Sequence, residues 1–343
     1  MPAEGVMSRV WRAPWDMLVT AGVCIGWGVR LGHDAFLNID HAMYLSTVHF
    51  MRRGGSYYAG MDHALRTYIG PAATPRAFRP PFIFLFWQLL PNDRAIWILL
   101  VVLAGLASIA LARLVRVRWV APLLAAYFLY NAWNKFTLVE MWGCIVVVCA
   151  VVAWVSGRRG LAVILGVVAA LVRETTVLFL VGGLLAAHRH EERRWPWLAG
   201  LAVAVAEFVL EPIWAGPYLV SHGTESPLLG TGRPPFSIAR WMGFGLPLGP
   251  ILGPVLWAVA VLTLLGKLPG VDRGRRWTPP KGVDDLMLPY LALPIVGFLV
   301  TRDYWGVLVV PFTMALSAST IDQVVRASVR RGSPRLIGEA NRK

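Results

Sequence analysis

The chain has 343 residues, 57% hydrophobic and only 15% charged, with a mean hydropathy of +0.58. That is too apolar for a core wrapped in a solvated surface, so a polytopic membrane protein is expected. The formal charge of +14 does not point to nucleic acid here, because the arginines fall in short gaps between apolar runs, where they set orientation and meet anionic membrane lipids.

Arg9 and Arg12 precede the first apolar run as in a signal peptide, but no small-x-small cleavage site follows and the run is long enough to span, so a retained first helix is expected. Candidate spans are 15–32, 95–114, 119–133, 139–155, 161–172, 175–187, 195–214, 251–265, 286–300 and 305–321. They give about ten crossings, each measured against the roughly 20 residues needed to cross about 30 Å of hydrocarbon. Cys24, Cys144 and Cys149 lie inside these runs with no CxxC spacing, which argues against disulfides and a zinc site.

The fold class is therefore all-α: a single integral membrane domain over 1–343, with polar loops at 34–80 and 215–250 and a basic tail at 322–343. With the N-terminus in the cytoplasm, the basic connections Arg113 to Arg118, Arg158 and Arg159, His188 to Arg194, Lys267 to Arg276 and the tail all fall inside. Both termini are then cytoplasmic in a multi-pass plasma-membrane protein. Phe82 to Pro91 is too short to cross and would flip that parity, so it reads as re-entrant or interfacial, with Pro80 and Pro81 at its start.

The polar groups left outside the cytoplasm carry the candidate chemistry. In the first loop, Asp40 and Tyr44 stand one helical turn apart, and Met43, Leu45, Val48, Phe50 and Met51 supply the apolar contacts of an interfacial helix that Gly54 and Gly55 end. Asp40 is either a reactive carboxylate or a helix cap. Arg173-Glu174 either pins neighbouring helices as an ion pair or walls a site, and the parity of the loops favours a break there between two short segments. Arg302-Asp303-Tyr304 forms a tight turn, read as headgroup anchor or ligand, and 216–250 contributes His222, Arg233 and many Gly and Pro residues. Arg66, Arg76 and Arg79 line an anionic pocket or bind headgroups.

Asp40-His41-Ala42-Met43-Tyr44, then Gly54-Gly55-Ser56-Tyr57-Tyr58, then Phe78-Arg79-Pro80-Pro81 resembles the first extracytoplasmic loop of the GT-C glycosyltransferase superfamily. It is most similar in character to actinobacterial mannosyltransferases that use polyprenyl-phosphate mannose. The resemblance covers the first hundred residues and elsewhere only the layout. It implies an inverting transfer from a polyprenyl-phosphate sugar donor to a lipid-linked or glycan acceptor, with Asp40 as base and Asp34 as the runner-up. It further implies that Arg173, Arg302 and Arg79 contact the donor phosphate. Tyr44, His41, Glu174, Tyr304, His222 and Arg233 would line the substrate. Relatives often pair two acids where this chain has Asp40-His41.

That chemistry requires one base and some arginines, and neither a metal nor another cofactor. HExxH, GxSxG and DxD motifs are absent. A transporter or lipid flippase is the alternative, since intramembrane Arg-Glu pairs also mark transport paths, although no internal repeat is evident. A non-catalytic assembly partner would tolerate Asp40→Asn.

Overall fold

The computed structural model describes residues 15–31, 39–70, 78–133, 137, 139–218, 249–266, 280–295 and 306–332. Those residues are helical throughout, with no strand among them. The first helix, α1 (Trp15–Leu31), is followed by two loop helices, α2 (Ile39–Arg52) and α3 (Tyr57–Tyr68), and the short α4 (Phe82–Gln88). Then come α5 (Asp93–Leu114), α6 (Val120–Trp133), α7 (Val139–Val155) and α8 (Arg159–Val172). A 3-10 turn (Glu174–Thr176) leads into α9 (Val177–Arg189), followed by α10 (Trp195–Ala215), α11 (Gly249–Leu264), α12 (Val283–Leu291) and α13 (Gly306–Gly332).

Among the described residues, three stretches are long and apolar enough to cross a membrane: α5, α10 and Leu308–Val325 within α13. Shorter apolar helices run over Trp15–Gly26, Val120–Asn131, Val139–Val155, Arg159–Val172 and Ile251–Leu264. About ten crossings would need the shorter helices to cross as well. The polytopic reading thus rests on composition together with several helices of suitable character.

α7 is the hub. It is buried over most of its length and packs on α8, α5 and α13, which is why its sequence is apolar on every face. At the other extreme, only 17% of the span in α10 is covered by protein. Glycines set the closest approaches. A Cβ on Gly182 would stand 2.0 Å from the Leu286 carbonyl oxygen, so α9 and α12 meet backbone to side-chain-free backbone.

The chain reverses at Arg173. A Cβ on Gly166 of α8 would meet Leu180 of α9 at 2.7 Å, and these two residues stand equally far on either side of Arg173. The backbone there is extended (φ −147°, ψ 109°) before the 3-10 turn. The break expected between the two short segments therefore falls at the charged pair.

Two poles follow from this packing. At one, Trp154 Nε1 donates to Lys281 O at 3.2 Å, Arg159 pairs with Glu192 at 3.0 Å, and His190 and Arg189 meet Asp285. Asp285 belongs to the first turn of α12, where the helix dipole suits its charge, and is buried and ion-paired as well. The opposite pole collects the start of α7, the α8–α9 reversal, and the loop helices.

Candidate functional site

Asp40 lies in the first turn of α2, one residue inside the helix, where the helix dipole favours its charge by about 0.3–1 kcal/mol. Its side chain is exposed. The next residue behaves in the opposite way. His41 is 2% exposed and its Nδ1 lies 2.8 Å from Thr137 Oγ1, just ahead of α7. Burial lowers its pKa from the usual 6.5 to about 4, although the charge of Asp93 works the other way, so the imidazole is neutral at physiological pH. His41, expected to line the substrate, is placed inside the fold here, where its ring packs as an internal strut.

Tyr44, one turn on, is also buried, with its ring edge-on to Phe84 at 5.3 Å. Arg79 Nε donates to the Tyr44 hydroxyl at 3.2 Å. Tyr57 donates its hydroxyl proton to Arg79 O, and Arg79 N donates to the same hydroxyl at 3.2 Å. Burial raises the Tyr44 hydroxyl above its usual range, partly offset by Arg79, so it stays a protonated donor. α2 ends where Gly54 takes φ +90°, a conformation that glycine adopts without strain. The following turn lets Ser56 cap α3 by accepting from Ala59 N at 3.3 Å. The glycine pair thus serves to fold α3 back on α2, and Phe50 fills the space over Gly55 and Gly60.

Arg173 is completely buried. Its Nε sits 2.9 Å from Glu140 Oε1, and its Nη1 donates to Glu174 Oε1. Gly143, one turn beyond Glu140, makes the room: a Cβ there would lie 3.1 Å from the Arg173 Cβ. Burial alone would raise the Glu174 carboxyl, but the Arg173 and Arg79 guanidiniums outweigh it and hold the group below the usual carboxylate range. With zero exposure and two carboxylates already bound, Arg173 offers a phosphate no surface in this conformation. Of the expected phosphate contacts, the half-buried Arg79 is the one within the described residues that keeps some access.

Two further carboxylates join this pole from α10. Glu211 lies in electrostatic range of Tyr57, Tyr58, Glu207, Glu174, Arg79 and Arg173, and Glu207 in range of Glu174 and Tyr58. Sequence reading passed over Glu140, Glu207 and Glu211. The signal was present, because ionisable residues inside an apolar run cost about 2.5–3.5 kcal/mol each at mid-membrane and are seldom kept without a task.

Arg66, read as lining an anionic pocket or binding headgroups, pairs with Asp62 at 3.0 Å and donates to Tyr218 O at 3.0 Å. His63 stacks on Phe50. Asp34, Arg76, His222, Arg233, Arg302 and Tyr304 lie outside the described residues. Among the described residues no three His, Cys, Asp or Glu side chains converge closely enough to hold a metal ion.

What the site gathers is a cluster of carboxyls, guanidiniums and tyrosines at one end of a helical bundle. Comparisons with protein-family models, with curated proteins and with solved structures return no match.

Proposed function

We propose that the chain is a plasma-membrane glycosyltransferase of GT-C type, with about ten crossings, both termini cytoplasmic and the site on the outer face. It moves a sugar, with mannose favoured by the loop resemblance, from a polyprenyl-phosphate donor to a lipid-linked or glycan acceptor. The observation that carries this reading is the contrast within the Asp40-His41-Ala42-Met43-Tyr44 run: Asp40 is exposed, while His41 and Tyr44 are buried and bound to Thr137 and Arg79. An exposed carboxylate on a helix anchored so firmly suits a reacting group better than a buried structural one.

In the proposed step Asp40 accepts the proton of an acceptor hydroxyl. The oxygen forms its bond to the anomeric carbon from the face opposite the phosphate, the sugar–phosphate C–O bond breaks, and polyprenyl phosphate leaves with the electron pair. The sugar is inverted. Arg79 faces the negative charge that develops on the leaving phosphate, and Arg173 supports it indirectly by keeping Glu174 engaged.

Asp40→Asn should lower transfer from polyprenyl-phosphate mannose by about 10²-fold or more while lowering the melting temperature only slightly, since the side chain is exposed and loses only its helix-dipole interaction. Full activity in that variant would remove the base assignment. The transporter or flippase reading draws on a different observation, the carboxylates on α10, because such residues also mark transport paths. Lipid movement across vesicles in the absence of any transfer product would favour it.

A further inference from the structure

At the same pole, several polar atoms are sealed from solvent and have no hydrogen-bond partner among the described residues: Glu174 Oε2, Thr175 Oγ1, Glu207 Oε1, Glu211 Oε1 and the Tyr58 hydroxyl. They come from three separate elements. Thr175 is only 7% exposed. Buried polar atoms without partners are rare in folded proteins, and several together call for a ligand or ordered water. Glu207 and Glu211 are one turn apart on one face of α10, roughly 12 and 6 Å along the helix from its end at Ala215.

We infer that Glu207 and Glu211, with Glu174 and the Tyr58 hydroxyl, form the acceptor end of the site and bind an uncharged, hydroxyl-rich sugar headgroup; this rests on the transferase reading above. Charge decides the class of ligand. The Arg173 guanidinium is committed to Glu140 and Glu174, and Arg79 is assigned above to the donor phosphate, so among the described residues no cation is left at Glu207 and Glu211 to hold a second phosphate. Unpartnered carboxyl oxygens require hydrogen-bonding groups, and sugar hydroxyls serve as donors and acceptors alike. The carboxylates are too widely spread to close on a metal ion. Aromatic rings border the patch: Tyr58 stacks on Tyr218 at 5.8 Å and meets Tyr57 at 5.0 Å, and the partly exposed sides of Tyr58 and Tyr218 are apolar surface of the kind that packs on the C–H face of a sugar ring.

The test uses the full chain in phosphatidylcholine nanodiscs and three probes that share one tail: octyl α-mannoside, octyl α-mannoside 6-phosphate and octyltrimethylammonium. Saturable thermal stabilisation is expected from the neutral mannoside and not from the other two. It should weaken at least tenfold in the double variant E207Q/E211Q and several-fold in Tyr58→Phe, while polyprenyl phosphate binding stays as in the wild type. Preference for the phosphorylated or ammonium probe overturns the inference, as does neutral-probe binding that E207Q/E211Q leaves unaltered or the absence of saturable binding. If the double variant does not fold, the ranking of the three probes on the wild-type chain and the Tyr58→Phe titration decide. Failure of the transferase reading is distinguishable, because Asp40→Asn should bind the neutral mannoside normally whatever its effect on transfer.

Discussion

Arg173 illustrates how one residue can hold a site together without touching what the site binds. Its guanidinium joins α7, through Glu140, to the turn at Glu174, with no solvent contact. Truncation would strand two carboxylates, one of them 5% exposed, and leaving a buried charge uncompensated costs about 3–5 kcal/mol. Arg173→Met should therefore cause a large fall in thermal stability in detergent, and Arg173→Lys should recover little because a single ammonium cannot bridge both carboxylates in the same fork. A melting temperature close to wild type in Arg173→Met would show that the residue is not structural and would reopen the phosphate-contact role. The pair was visible in the sequence as charges inside an apolar run. The third member was not, since nothing in the order of residues joins Glu140 to a turn more than thirty positions later.

At the scale of elements, the Asp40 loop and the α8–α9 reversal were both legible, for different reasons. The loop announces itself through punctuation: Gly54 supplies a positive φ, Ser56 caps α3, and Pro81 precedes α4. The reversal announces itself through cost, because two charges mid-span are expensive and a break moves them to an end. Glycine packing could not be anticipated in the same way. Gly182 and Gly183 read as ordinary residues of an apolar segment, yet the first lies against the Leu286 backbone and the second against Trp197. Gly182→Ala should destabilise the protein by about 1–3 kcal/mol, as overpacking against rigid backbone does, whereas Gly160→Ala, where nothing lies within 4 Å, should be neutral or slightly stabilising. Equal melting temperatures for the two variants would show that α9 and α12 do not approach as closely as described.

For the whole molecule, the separation into a basic pole and a carboxylate-rich pole is the feature with the widest consequence. It predicts sidedness. In a cysteine-free background in intact cells, a membrane-impermeant maleimide should label Arg53→Cys, beside the site, and should reach Arg193→Cys only after permeabilisation; both positions are exposed. Labelling of Arg193→Cys in intact cells would invert the orientation and place the site in the cytoplasm.

The sequence by itself determined the helical class, the apolar runs that make helices of membrane-spanning character and the punctuation of the first loop, because composition, turn chemistry and local periodicity act over a few residues. Only the tertiary structure decided that His41 and Tyr44 face inward, that Arg173 is enclosed by carboxylates, and that Glu140, Glu207 and Glu211 join the same pole. Those outcomes depend on which faces of distant helices meet, and burial and charge pairing across such contacts leave no pattern along the chain.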